Sequence, residues 1–359
     1  MKRFFYAISV IAAIAMASAG STSACTGITL RTADGNVVMA RTIEWSGSDM
    51  YSCYVVVPRG HVWKSMTPDG RLGCEFKARY GYVGLGVEQS EFVTEGINEC
   101  GLSAGLFYFP DYGEYESLKE ENLGSSVSDL QLVSYILSTC ANVDDVRAAL
   151  EQIHVFGIDP RASTVHWRFA EPSGRQIVLE IIDGKCVFYD NELGVLTNSP
   201  SFDWQLTNLN NYVNLIPGKV AKGSIEKMDL RSFGGGSGLL GLPGDVTPPS
   251  RFVRAAFYQC SAPVLDSAEK TVAQAFHILN NFDIPIGSQY APGETPAPIP
   301  SATHWTVASD LSGKKIYYRT MHNCQIRCID LSKIDFSKVK FTTGALDPSK
   351  EEVIHYLTF

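Results

Sequence analysis

The sequence predicts an α+β chain of two largely antiparallel sheets with helices packed on them. Three observations carry that expectation. β-rich runs come first, and tight-turn dipeptides close them, Asp34-Gly35 early and Ser312-Gly313 late. From residue 128 the apolar spacing becomes helical, with Leu130, Leu132, Val133, Ile136 and Leu137 in register. Strands and helices then follow in blocks, not in the regular alternation that builds a parallel sheet.

In chain order, residues 28–32 and 37–42 are β-rich runs around Ala33-Asp34-Gly35-Asn36, which reads as a hairpin. Residues 54–57 continue the β character until Pro58-Arg59-Gly60 ends it, and further strands are expected over 80–87 and 101–109. Ser128 is the expected N-cap of a helix over 128–140, and a second helix is expected over 143–153. Strands over 165–170 and 176–182 flank Pro172-Ser173-Gly174. Then come a helix over 203–215, a glycine-rich loop over 234–244, helices over 249–260 and 267–281, and a proline-rich loop over 285–300. A hairpin of 304–309 with 315–320 follows. No repeat, low-complexity tail or linker divides the chain.

Residues 1–24 have the three parts of a cleavable secretion signal. Lys2 and Arg3 supply the charge, residues 4–17 the apolar run, and Ser21, Thr22, Ser23 and Ala24 a small-residue cleavage site. That run is too short to span a bilayer well, and no later stretch is long enough. The expectation is an exported chain, periplasmic or secreted, with residues 25–359 as a single domain and no stable membrane span. A net charge of −8 and the lack of a basic cluster argue against nucleic acid as a partner. A small anionic substrate stays open, because one or two pocket arginines suffice to hold it.

The nine cysteines are an odd number, which in an exported chain points to one functional thiol and up to four bridges. The alternative, that most are small buried hydrophobes, stays open. Cys324 and Cys328 lack a second pair, and the seven histidines are dispersed, so no metal is expected. Gly234-Gly235-Gly236-Ser237-Gly238 lacks the Gly-Lys-Ser/Thr ending of a phosphate-binding loop and reads as a flexible loop near a pocket. No nucleophile elbow of the form Gly-x-Ser-x-Gly in a strand-turn-helix context occurs.

Cys25 stands at the expected cleavage point and opens the first strand-like run. Cutting Ala24–Cys25 would put a thiol and a free α-amine on one residue, a nucleophile with its own base. A free cysteine thiol is mostly protonated at neutral pH, and an amine of pKa about 8 can take its proton directly or through water. Arg41, in the second strand of the hairpin, can reach back to the start of the first, and Glu44 lies just beyond, where a carboxylate can hold the amine. A cysteine after a signal can instead carry a lipid anchor. Thr26-Gly27-Ile28-Thr29-Leu30 is strand-like, however, where a lipoprotein has a polar tether.

Several motifs in order then resemble the choloylglycine hydrolase family of bile salt hydrolases and penicillin V acylases, cysteine members of the N-terminal-nucleophile hydrolases. They are Cys25-Thr26-Gly27, Ala33-Asp34-Gly35, Ala40-Arg41-Thr42-Ile43-Glu44-Trp45 and Gly96-Ile97-Asn98-Glu99-Cys100-Gly101-Leu102. Leu196-Thr197-Asn198-Ser199-Pro200, Asn208-Leu209-Asn210-Asn211-Tyr212 and Gly241-Leu242-Pro243-Gly244-Asp245 followed by Ser250-Arg251-Phe252-Val253-Arg254-Ala255 complete the set. The resemblance implies a four-layer αββα fold, no cofactor, and a homo-oligomer, since the family is commonly tetrameric. It implies Cys25 as nucleophile, Arg41 beside the thiol, and Glu44 at the position of a family Asp that binds the α-amine. Asn198 is implied as an oxyanion donor and Arg251 as a charge close to the nucleophile. The second oxyanion and substrate-binding position falls on Phe107 or Tyr108, with a backbone N–H as donor whichever it is.

Read without the resemblance, Asn198 before Ser199-Pro200 could shape a turn, Arg41 could be a surface residue, and Trp45, Phe107, Tyr108 and Phe109 could be core. The expected reaction is hydrolysis of a linear amide, foremost in a bile acid conjugated to glycine or taurine. The alternatives are penicillin V or an acyl-homoserine lactone, and a secreted or lipid-anchored binding protein on an inactive hydrolase scaffold.

Overall fold

The computed structural model describes residues 24–46, 49–159, 163–290, 292–293, 295 and 301–359. Residues 1–23 of the expected signal and 296–300 of the proline-rich loop lie outside the described residues.

β1 (Ala24–Arg31) and β2 (Val37–Ser46) form the first hairpin. Gly35 turns it at φ +84°, a left-handed conformation that glycine adopts without steric cost. β3 (Cys53–Val57), β4 (Tyr82–Gly86), β5 (Val93–Asn98) and β6 (Ser103–Tyr108) follow. α1 (Leu132–Thr139) and α2 (Val143–Leu150) lead into β7 (Val165–Ala170), β8 (Gln176–Ile182) and β9 (Lys185–Asp190). After α3 (Phe202–Asn208), α4 (Pro248–Ser261) and α5 (Ala268–Leu279), the chain ends in β10 (Ser301–Asp310), β11 (Lys315–Thr320), β12 (Asn323–Asp330) and β13 (Thr342–Ala345).

The strands make a five-stranded sheet, β1-β2-β10-β11-β12, and an eight-stranded sheet, β9-β8-β7-β6-β5-β4-β3-β13, with every neighbouring pair antiparallel. Met39 and Ile43 of the smaller sheet, on the face of Cys25 and Arg41, share one core with Phe107, Val178 and Ile97 of the larger. Phe252, Ala255, Phe276 and Leu279 of α4 and α5 cover the smaller sheet's other face. That sheet is therefore buried on both faces, and β2 and β10 read as nearly continuous buried runs, not as alternating ones. On the far side, Leu132, Val133, Ile136 and Leu137 of α1 pack with Val55, Ala104 and Phe169 of the larger sheet. The architecture is the expected α+β stack of four layers, αββα, which pins the hairpin between packed layers. Among the described residues no helix is long and apolar enough to cross a membrane.

β5, β9, β12 and β13 were not anticipated. β12 is an edge strand of alternating partial and full exposure, with Asn323, Gln325 and Arg327 diluting its apolar content. β5 carries Glu95 and Gly96 at its centre, residue types that disfavour strands, and is nonetheless buried throughout. Two further readings are corrected. All nine cysteines are free, and only Cys25 and Cys140 are buried, so most are not core hydrophobes. The glycine-rich loop is largely exposed surface and does not line the cleft described below.

Candidate active site

β1 is the edge strand of its sheet, and its outward N–H groups set the site. Gly27 N–H donates to the Leu196 carbonyl at 2.7 Å, and Leu196 N–H returns a bond to the Gly27 carbonyl at 3.1 Å. Thr29 N–H donates to Gln259 Oε1 at 2.7 Å. Two residues from that short bridge, Asn198 comes level with Cys25, and its Oδ1 accepts the Cys25 N–H at 2.8 Å. The edge is thus paired without a further strand, as buried backbone donors require.

The hairpin register places Gly27 opposite Arg41, Cys25 opposite Ile43 and Ala24 opposite Glu44. Arg41 is therefore the diagonal neighbour of Cys25 on one face, within reach of a long side chain. Its Nη2 donates to Cys25 Sγ at 2.8 Å. Its Nη1 donates to the Leu106 carbonyl at 2.6 Å and the Thr94 carbonyl at 3.3 Å, and its Nε to the Thr42 carbonyl at 3.1 Å. Arg41 is wholly buried and ties the two sheets together beneath the thiol.

Arg251 sits in the first turn of α4, where the helix dipole disfavours a cation. Four acceptors and one carboxyl hold it there. Nε donates to the Val246 carbonyl, Nη1 to the Cys25 carbonyl and Thr26 Oγ1, and Nη2 to Asn198 Oδ1 at 2.7 Å. The fifth partner is electrostatic, the Glu44 carboxyl, which with Cys25 opposes the lowering that burial imposes on the guanidinium. Because arginine only donates, its bond to Asn198 fixes that amide's orientation. Asn198 Nδ2 donates to the Tyr108 carbonyl at 2.7 Å, which leaves its second hydrogen for another acceptor. Asp245 accepts from the Thr247 N–H and from the Thr247 and Ser250 hydroxyls at the start of α4, and Arg254 Nη1 holds the Pro243 and Asp245 carbonyls. The loop-helix motif from residue 241 to 255 is the device that delivers Arg251.

Glu44 is buried, and burial pushes its carboxyl up to about 7 against the pull of Arg251 and Arg41. Oε1 accepts from Thr303 Oγ1 at 3.1 Å, while Oε2 has no hydrogen-bond partner among the described residues.

Cys25 opens onto a cleft of about 900 Å³, counted out to its mouth. Ile43, Trp45, Met50, Phe92, Leu106 and Tyr108 supply much of the apolar lining, with Trp45 and Tyr108 edge to face at 6.4 Å. Glu44, Glu88, Asp129 and Asp159 also reach it. Burial raises Asp129 to about 6, against N–H bonds from Ile158 and Leu130. Among the described residues no group of three or more His, Cys, Asp or Glu is placed to hold a metal ion.

Of the sequence-predicted residues, Cys25, Arg41, Glu44, Asn198 and Arg251 come together here. Phe107 and Tyr108 part company. Phe109 N–H donates to the Thr164 carbonyl, so strand alternation turns the Phe107 N–H toward β7 as well, opposite His166. Leu106 and Tyr108 point the other way, and their carbonyls meet Arg41 and Asn198. The Phe107 ring is fully buried 4.1 Å from the Arg41 guanidinium carbon and does not line the cleft, so its expected substrate contact is corrected. Asn98 accepts the Cys100 and Leu102 N–H groups and donates to the Leu137 and Cys140 carbonyls, a structural turn. Two buried charges beside Arg41, Glu95 and Arg168, escaped sequence reasoning; their one signal is a charge in the middle of a β-rich run.

Residues 25–346 match the linear amide C–N hydrolases of the choloylglycine hydrolase family. A bile salt hydrolase/transferase of Clostridium perfringens is 32% identical over 325 residues, 88% of this chain and 95% of that protein. A penicillin V acylase of Pectobacterium atrosepticum is 26% identical over 333 residues, 86% of this chain and 81% of that protein. The crystal structure of a mutant conjugated bile acid hydrolase from Clostridium perfringens superposes with a TM-score of 0.81 at 29% identity, covering 93% of this chain and all of that one.

Proposed function

The chain belongs to the choloylglycine hydrolase family, it is a linear amide C–N hydrolase, and on that premise we propose that it deconjugates glycine- or taurine-linked bile acids through a Cys25 thioester. The observation that carries the chemistry is the convergence of Arg41 and Asn198 on Cys25, at 2.8 Å from its sulfur and its nitrogen. Export and cleavage of Ala24–Cys25 belong to the same proposal, because the Cys25 nitrogen is a base only once it is free.

The α-amine takes the thiol proton, and the sulfur attacks the amide carbonyl carbon. The oxyanion meets the second hydrogen of Asn198 Nδ2 and the Tyr108 backbone N–H, which strand alternation turns toward the site. The ammonium then protonates the leaving nitrogen, the C–N bond breaks, and the amine product departs. Water gives a proton to the α-amine and attacks the thioester; C–S cleavage and return of that proton to sulfur release the acid and restore Cys25. Glu44 stands opposite Ala24, so removal of Ala24 leaves its unpartnered oxygen to the new ammonium.

The substrate reading rests on the apolar, aromatic lining of the cleft, and on the similarity to the bile salt hydrolase/transferase across 95% of that protein. Parallel assays of glycocholate, taurocholate and penicillin V test it, with Cys25→Ser as control. Release of glycine or taurine that the control lacks is the expected result. Turnover of penicillin V alone would overturn the substrate, and full activity in Cys25→Ser would overturn the mechanism. A homo-oligomer, with a tetramer as the expected state, is part of the proposal and is read by light scattering.

A further inference from the structure

Behind Arg41 lies a buried charge pair that the steps above do not use. Arg168 of β7 and Glu95 of β5 are 2% and 1% exposed. Glu95 Oε2 is 3.7 Å from Arg41 Nη1, and Glu95 Oε1 is 3.8 Å from Arg168 Nη2, so one carboxylate is shared by two guanidiniums. The Phe107 ring packs against both, 4.1 Å and 5.2 Å from their central carbons. Glycines make the space: a Cβ at Gly27 would lie 2.6 Å from Arg168 Nη1, and one at Gly105 would collide with the Glu95 carboxylate.

This arrangement is a poor way to fill a core. Each buried charge costs several kcal/mol of desolvation, and a well-packed apolar side chain of similar volume often does as well or better. Hydrogen bonding does not fully compensate. Arg168 donates to the Ile28 and Ala40 carbonyls at 3.3 and 3.2 Å, but its Nε and Glu95 Oε2 have no hydrogen-bond partner among the described residues. Such costs concentrate where charge serves a site.

We propose that Glu95 and Arg168 are positioning residues that set the aim and the net charge of Arg41 at Cys25. Two guanidiniums around one carboxylate leave a single positive charge facing the sulfur. Without Arg168, Glu95 would neutralise Arg41 alone and draw its Nη1 from the Leu106 carbonyl. Without Glu95, two like charges would share one closed chamber. Burial pulls Arg168 down to about 10, with Glu95 and Cys25 opposing it and Arg41 adding to it, as a shared charge cluster requires. The thiol is also faced by Arg251 from α4, by Glu44 from β2 and by Tyr108 from β6. Glu88, Asp129 and Asp159 face it across the cleft. All of these are unchanged in the variants below.

The proposal rests on Cys25 being the nucleophile, so the test reads the thiol and not turnover. Purified protein is treated with iodoacetamide at pH 6, and modification of the Cys25 peptide is timed by mass spectrometry. This separates it from the exposed Cys186, Cys260, Cys324 and Cys328. Arg168→Met should slow Cys25 alkylation about tenfold, since removing a neighbouring cation shifts a thiol's ionisation by about one unit or more. The double variant Arg168→Met, Glu95→Gln restores the net charge and should return to within about threefold of wild type, which a merely structural pair would not do. An Arg168→Met rate within about twofold of wild type, or a double variant as slow as Arg168→Met, overturns the proposal. Should Arg168→Met not fold, Glu95→Gln is compared with the double variant. A rate about tenfold faster supports the charge role, and equal rates overturn it. A wild-type Cys25 alkylated no faster than the exposed cysteines fails the nucleophile itself, a separate outcome that removes the proposal with it.

Discussion

Arg41 Nη2 stands 2.8 Å from Cys25 Sγ because Arg41 is paired with Gly27 in the β1–β2 hairpin. Gly27 has no side chain to fill the space between them, so the guanidinium lies across the strand to the sulfur two residues away. The same residue leaves room below for Arg168, and its backbone binds Leu196, which brings Asn198 level with Cys25. Cys25-Thr26-Gly27 is thus a docking geometry as well as the seat of the proposed nucleophile.

Arg41→Lys separates charge from geometry. Lysine keeps the cation but offers one ammonium where the guanidinium now serves Cys25 Sγ and the Thr42, Thr94 and Leu106 carbonyls. An ammonium drawn to those carbonyls sits off the sulfur, and a misplacement of about 1 Å can cost about 10²-fold. The expected kcat falls by about that factor with the fold retained. Steady-state kinetics and a thermal melt check it; a kcat within a few-fold of wild type would remove Arg41 from the machinery.

Asn198→Asp tests donation against acceptance. A carboxylate still accepts from Arg251 Nη2 and the Cys25 nitrogen, as Oδ1 does now. It donates neither to the Tyr108 carbonyl nor to an oxyanion. Loss of one oxyanion donor costs about 10²–10³ in kcat, and little change in KM is expected. Asn198→Ala, which lacks both functions and leaves Arg251 short of an acceptor, should lose thermal stability as well. Equal melting temperatures for the two variants would contradict the assigned amide orientation.

What was legible in the sequence follows the range of the interactions. The turn at Asp34-Gly35 fixes the hairpin register, so Cys25, Arg41 and Glu44 could be placed together from local pattern. Asn198 and Arg251 lie 173 and 226 residues from Cys25, and only the resemblance pointed to them. The choice between Phe107 and Tyr108 was not local either, since the side each faces depends on which strand β6 pairs with. Glu95 and Arg168 were passed over because a charge in a strand usually marks solvent. Here both faces of the inner layers are covered, and the charges are inside.

Gly27→Ala should expose the strain of that packing. Its Cβ would lie 2.6 Å from Arg168 Nη1 and 2.9 Å from Phe107 Cζ, and Arg168 is pinned to the Ile28 and Ala40 carbonyls. Overpacking of a filled core costs about 1–3 kcal/mol, and the displaced Phe107 ring also backs Arg41. Chemical denaturation should show the loss in stability, with kcat reduced alongside. A variant as stable as wild type would show that the chamber yields.

Glu44→Gln should flatten a pH dependence of stability in the uncut chain. Burial raises the Glu44 carboxyl from its ordinary 4.5 to about 7, so the folded protein binds that proton more tightly than the unfolded one. Its contribution is complete below about pH 4.5 and is lost as pH rises through about 7, a difference of roughly 3 kcal/mol. Glutamine does not titrate, so the wild-type curve minus the variant curve should fall across that window. Asp129, raised to about 6, titrates there in both proteins and cancels. Cutting Ala24–Cys25 would remove the residue opposite Glu44 and leave an ammonium beside its unpartnered oxygen, which favours the carboxylate. The fall should therefore be steep in a chain whose cleavage site is blocked and shallow in the cut chain. Denaturant melts from pH 4 to 8 on both forms decide it, and equal slopes would separate Glu44 from the α-amine.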